Sequence, residues 1–192
     1  MESRYLNTTG QGDDKLQGPV PEIVPLTESL IPLYLKTGRE AYRQYYCHLW
    51  PGGIPDPYLS RNFTAPILLG ELGDPRYVCW LLFYKGEAAG ICKMDLKKEC
   101  RFHPTETSLF IEKIYFQKGF TGLGLGGGVF REIKRWALGM EKDFLWLKTM
   151  QKGEALSFYE HIGFNILAET QIPYPEVLES EKKMWVLGLH LH

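Results

Sequence analysis

Six of the ten residues from Gly119 to Gly128 are glycine (GFTGLGLGGG), and this run joins two segments that must both pack. Before it lies Ser108–Phe116 (SLFIEKIYF), an apolar strand-like stretch; after it, Val129, Ile133, Trp136 and Met140 recur at spacings of four, three and four, which predicts a helix over 122–140. A glycine linker belongs between polar flanks, so a strand–turn–helix unit is the better reading. Glycine there tolerates φ > 0 and lets bare N–H groups approach a ligand, while the helix start adds unpaired donors and partial positive charge. The expected guest of such a turn is an anion, a phosphate above all.

With 192 residues, 44% hydrophobic and 14% aromatic, the chain can bury one sizeable core. Residues 1–20 are polar and aperiodic and read as a flexible N-terminal tail, leaving 21–192 as a single domain. A net charge of −1 gives no electrostatic case for nucleic acid or an anionic membrane surface, and no apolar run approaches the length of a membrane-spanning helix. Cys47, Cys79, Cys92 and Cys100 show no metal-ligand spacing, so no metal site is expected; with no secretory signal at the start, they read as reduced thiols of a cytoplasmic protein.

Along the chain the pattern predicts a strand at 22–26, then a helix opened by Thr27 and ending near Leu49. A second helical region opens at Asp56-Pro57 and is interrupted at Pro66. Strands at 76–84 and 87–96 flank Lys85-Gly86 as a tight hairpin; further strands follow at 108–116, 144–149, 164–172 and 182–190, with a short helix at 153–161 stopped by Gly163. This order is α/β with a mixed sheet.

Gly122-x-Gly124-x-x-Gly127 matches the dinucleotide fingerprint, but the next strand ends in Lys148-Thr149 rather than an acidic residue, and too little chain remains for further βαβ units. No Gly-Lys-Ser/Thr follows the glycines, which removes the nucleoside-triphosphate loop. Instead, Ile114-Tyr115-Phe116 followed by Thr121-Gly122-Leu123-Gly124-Leu125-Gly126, and downstream Ala155-Leu156-Ser157-Phe158-Tyr159-Glu160-His161-Ile162-Gly163-Phe164, resemble the two signatures of the GCN5-related N-acetyltransferase (GNAT) family. That resemblance implies a mixed, mostly antiparallel twisted sheet of about seven strands flanked by about four helices. It also implies acetyl-CoA as co-substrate, with Thr121, Gly122, Gly124, Leu125, Gly126 and Gly127 around its pyrophosphate and the backbone near Ile114 and Phe116 along its pantetheine arm. Thr121 stands where the family has arginine or glutamine, and Lys152, which supplies a cation near the site, where it commonly has asparagine.

Direct transfer to an amine needs a proton acceptor for the amine, donors for the developing oxyanion and a partner for the departing thiolate. The resemblance assigns Tyr159 to the thiolate; on the residues alone it reads equally as a core tyrosine. Glu112 is the candidate base, placed by strict alternation on one strand face with Phe110, Ile114 and Phe116; the competing reading is an ion-pair partner for a cross-strand lysine such as Lys93. For the acceptor, Tyr42, Tyr45, Tyr46, His48 and Trp50 offer a cage for a cationic amine and Glu40, Asp56, Glu176 and Glu179 offer countercharge, although tyrosines at this helical spacing more often pack and such acidic residues are more often solvated. A polyamine-like or other small primary amine leads narrowly over a protein lysine, a protein N-terminus or an amino acid. The alternatives are a non-catalytic acetyl-CoA sensor or scaffold and, further off, a dinucleotide binder. A homodimer is compatible with the sequence.

Overall fold

The computed structural model describes residues 18–191; the expectation for residues 1–17 lies outside the described residues. Seven strands form one sheet in the order β1-β2-β3-β4-β5-β7-β6: β1 (Glu22–Pro25), β2 (Tyr77–Tyr84), β3 (Glu87–Asp95), β4 (Ser108–Phe116), β5 (Phe144–Met150), β6 (Asn165–Gln171) and β7 (Lys183–His190). All neighbours run antiparallel except β4 and β5. The helices are α1 (Ile31–Tyr46), α2 (Asp56–Asn62), α3 (Ala65–Leu72), α4 (Leu125–Gly139) and α5 (Ala155–His161).

Period-two alternation in the apolar strands feeds two cores. Leu82, Cys92, Leu109, Ile111, Leu145 and Leu147 pack with Val129, Phe130 and Ile133 of α4 on one face. Leu81 and Ile91 point the other way and meet Ile31, Tyr34, Leu59 and Leu68 from α1, α2 and α3, with Phe63 just beyond α2. Each such fully buried apolar side chain contributes roughly 1.5–3 kcal/mol, so both helix layers are held by burial. Lys85 and Gly86 take φ of 52° and 81°, the left-handed pair that closes a two-residue hairpin between β2 and β3.

The departures from expectation have local causes. The predicted helix over 122–140 starts only at Leu125, because Gly122 and Gly124 adopt φ of 75° and 77°, which no α-helix accommodates. The second helical region is two short helices, and Pro66 lies in the first turn of α3 rather than interrupting a helix. The Thr27 side chain makes no capping bond; its hydroxyl pairs with that of Ser29 at 3.0 Å.

Strict alternation fails in β4. Its register with β3 steps from Lys93↔Lys113 to Met94↔Ile111, which leaves Glu112 as the extra residue of a β-bulge. Ile114 and Phe116 consequently pack with the α4 core, Phe110 belongs to a separate cluster with Trp146, and Glu112 is not on a face shared with Ile114 and Phe116 as expected. It enters an ion cluster instead. The Lys93 ammonium lies 2.5 Å from Glu71 of α3 and 3.0 Å from Glu112, and the buried Lys113 ammonium also pairs with Glu112.

Burial by itself raises the Glu112 carboxyl, but the Lys113 and Lys93 charges outweigh it and hold the group below its ordinary value. A carboxyl depressed in this way adds stability that is present above its unfolded value, near 4.5, and is lost as the pH falls through the folded value. Glu112→Gln should therefore cost about 3 kcal/mol near neutrality: Lys93 keeps Glu71, but the buried Lys113 ammonium loses its carboxylate. Urea unfolding at pH 7 and between pH 5 and 3 should show this cost together with a flatter loss of stability on acidification.

Candidate active site

β4 and β5 pair only from Ser108↔Phe144 to Ile111↔Leu147. Beyond that point β4 stays with β3 as far as Phe116↔Gly90, and β5 stays with β7 as far as Met150↔Met184. The pairing stops where the Glu112 bulge falls, and bulges bend a strand and sharpen its twist. The two half-sheets therefore diverge and leave part of the β4 backbone facing an opening. That opening is a cavity of about 1290 Å³ lined by Ile114, Tyr115 and Phe116 on one side and Thr149 and Met150 on the other.

The glycine turn forms the next wall. Gly122, Gly124, Leu125, Gly126 and Gly127 all line the cavity. Gly124 caps α4 in the left-handed conformation, and its carbonyl accepts the Gly128 N–H at 3.4 Å. Among the described residues, the N–H groups of Leu125, Gly126 and Gly127 have no protein acceptor, as expected for the first turn of a helix. They present donors and the positive end of the α4 dipole to the cavity, the arrangement a phosphate group requires. A side chain at Gly126 would meet the Phe158 ring at 3.0 Å, so the turn is also closed against α5.

Thr121 does not spend its hydroxyl on the cavity. It donates to the Lys118 carbonyl at 3.0 Å and accepts from the Tyr45 hydroxyl at 3.2 Å, while the Lys118 N–H donates to the Gln44 side chain at 2.6 Å. Two contacts thus tie the turn to α1. Lys152 lines the cavity, but its ammonium is 2.8 Å from Glu181, which neutralises it. Lys118, outside the sequence-based candidates, lines the same wall without an ion-pair partner among the described residues. Its place three residues before Thr121 was the available signal.

Tyr159 lies on α5 in the same cavity, its ring set against Phe130, Phe158 and Phe164 at 5.5–5.8 Å between centroids. Its hydroxyl has no hydrogen-bond partner among the described residues, and burial pushes its pKa above the ordinary phenol value. It is a protonated donor facing the cavity. Glu112, by contrast, does not line the cavity, and its depressed pKa is the opposite of what a base for an ammonium needs. The base assignment is corrected: the carboxylate is a structural ion-pair member.

The proposed amine cage also divides. The Trp50 indole donates to Tyr42 at 3.1 Å, and Tyr42 stacks on Tyr58 at 4.2 Å, so Tyr42 and Trp50 are buried packing rather than a receptor for a ligand. Asp56 pairs with Arg43, Glu176 with Arg61 and Glu179 with Lys182, and Glu40 accepts from Gln117; none of the four lines the cavity. Tyr45, Tyr46 and His48, at the end of α1 and just beyond it, do line it, together with Tyr115 and Glu181. Among the described residues, no group of three or more His, Cys, Asp or Glu is arranged to hold a metal ion, and no helix is long and apolar enough to cross a membrane.

Several solved structures share this architecture. The PaiA N-acetyltransferase of Thermoplasma acidophilum, solved in complex with coenzyme A, superposes with a TM-score of 0.69 at 13% identity, over 88% of this chain and 98% of that one. An acetyltransferase of Thermus thermophilus gives 0.65 at 18% identity, over 90% and 98%. A probable acetyltransferase of Staphylococcus epidermidis gives 0.69 at 14%, over 90% and 100%. At these identities the likeness is one of fold. The model of the acetyltransferase (GNAT) family matches residues 39–164, which contain the bulged strand, the glycine turn and the Tyr159 helix, and the chain belongs to that family.

Proposed function

We propose that the protein is an N-acetyltransferase that moves the acetyl group of acetyl-CoA directly to the primary amine of a small molecule. The observation that carries this reading is that the N–H groups at the start of α4 and the Tyr159 hydroxyl, unpaired among the described residues, open into one cavity between β4 and β5. Acetyl-CoA would supply the activated acyl group. The Leu125, Gly126 and Gly127 amides with Lys118 would hold its diphosphate, and the free backbone edge of β4 from Ile114 to Phe116 would run beside its pantetheine arm.

The raised pKa of Tyr159 keeps its proton in place across the neutral range, so its role is a hydrogen bond to the departing sulfur rather than full proton delivery. With Glu112 engaged elsewhere, the amine's proton needs another acceptor. Of the cavity-lining bases, Glu181 is held below its ordinary pKa by Lys152 and Ser180, while Glu154 and His161 lie at the two ends of α5, the helix that itself carries Tyr159. His48, beside Tyr45 and Tyr46 on the α1 side, is the remaining imidazole, and we assign it this part. Among the described residues the cavity lining carries two carboxylates, Glu154 and Glu181, and Glu181 is paired with Lys152, which favours an acceptor with a single amine over an extended polycation.

Calorimetry with coenzyme A followed by thiol release over a panel of small amines tests the reading. Binding together with release is expected; binding without release from any amine would instead make the protein a non-catalytic sensor. Tyr159→Phe should lower kcat about 10–100-fold with coenzyme A affinity unchanged, and an unaltered kcat would remove the thiolate role. His48→Gln should lower kcat by about 100-fold and recover in part with added imidazole.

A further inference from the structure

The segment Gly18–Val20 crosses the back of the glycine turn. A Cβ on Gly18 would fall 2.4 Å from the Gly124 carbonyl oxygen, and Gly18 itself holds φ of +138°, so only glycine fits there. A Cβ on Gly128 would fall 2.3 Å from the Pro19 carbonyl oxygen and 2.9 Å from the Val20 Cα. Arg131 of α4 donates to the Gly18 carbonyl at 3.3 Å. Two glycines, one on each side, thus permit a backbone-on-backbone contact that the turn's own residues do not need.

The contact falls on a particular peptide. In a trans peptide the carbonyl and the following N–H point in opposite directions, and no cis bond occurs among the described residues. The Gly124 carbonyl faces Gly18 and the first turn of α4, so the Leu125 N–H is turned the other way, toward the cavity that Gly124 and Leu125 both line. The buried Leu125 side chain anchors one end of that peptide, but with glycines at 122, 124, 126, 127 and 128 the other end has no side chain to hold its plane.

We propose that Gly18–Val20 is a positioning strap for the cofactor turn: by pressing on the Gly124 carbonyl and on Gly128 it aims the Leu125 N–H at the diphosphate. The proposal rests on the acetyl-CoA reading above. It makes the stretch just before β1 part of the cofactor site although it touches no ligand, and it explains why Gly128, a residue of the α4 helix, is not alanine.

The test is the dissociation constant for coenzyme A, measured by calorimetry on full-length variants. Gly18→Ala and Gly128→Ala should each weaken binding about tenfold, the weight of one charge-assisted hydrogen bond. Because either substitution lifts the same strap, the double variant should be no weaker than the worse single one, whereas independent sites would multiply. KM for acetyl-CoA should rise in step while kcat at saturation stays within about twofold, a split that general damage to the fold does not produce. Gly139→Ala, on the same helix with open space around its Cβ position, should bind as the parent does. Unchanged affinity in both singles, or a multiplied loss in the double, would overturn the strap; failure of the parent protein to bind coenzyme A would overturn the functional reading instead.

Discussion

The parting of β4 from β5 after four residue pairs is the constraint on which the rest of the site depends. A fully zipped parallel pair would satisfy every backbone group along that seam and leave no room between the half-sheets. The bulge at Glu112 falls where pairing stops, and the ion cluster of Glu112, Lys113, Lys93 and Glu71 packs that bend against α3. Glu112 therefore acts on the site from outside: it helps shape the strand whose far end lines the cavity. The same bulge turns Ile114 and Phe116 toward the α4 core while Tyr115 joins the aromatic cluster under α1 and α2.

The donors that the glycine turn presents at the mouth of the cavity are almost wholly backbone groups. The helix start offers N–H groups and dipole rather than a ring of cations, which suits a chain whose overall charge is near zero. Such donors bind only if the peptide planes carrying them are held, and glycines cannot hold them by side-chain packing. The holding comes from elsewhere in the chain: Gln44 and Tyr45 of α1 on one side, Phe158 of α5 on another, and Gly18–Val20 behind. Residues far apart in sequence converge on one turn because, apart from the Thr121 hydroxyl and the buried Leu125 side chain, glycine gives that turn little to anchor itself with.

On the opposite side of the cavity, aromatic residues split into two populations. Tyr42, Trp50, Tyr58 and Tyr174 stack and hydrogen-bond among themselves into a packed block, and the Tyr58 hydroxyl meets that of Tyr115 at 3.1 Å. Tyr45, Tyr46 and His48 stand at the edge of this block and face the cavity. The block gives the end of α1 a rigid backing, so the groups that would meet an amine are held by packing rather than by the ligand.

Local chemistry determined a great deal. The period-two runs, the Lys85-Gly86 turn, the glycine-rich strand-to-helix passage and the Gly163 stop were each legible because backbone sterics and apolar periodicity act over a few residues. That the glycine turn and Tyr159 belong to one cavity was legible for the same reason, since both lie in short contiguous motifs. Strict alternation puts Glu112 on the wrong face, and sequence alone leaves open whether it is a base or an ion-pair partner and whether Tyr42 and Trp50 pack or receive a ligand, because a bulge and a cross-chain partner are facts about neighbours: one extra residue opposite β3 reverses a face, and a lysine on the adjacent strand decides whether a carboxylate is free. The cavity itself, the neutralisation of Lys152 by Glu181 and the contact of Gly18 with Gly124 exist only once distant segments are packed together. Sequence determined which backbone conformations were affordable at each step, and tertiary structure decided which polar groups were left without a partner, because pairing is settled by proximity in space.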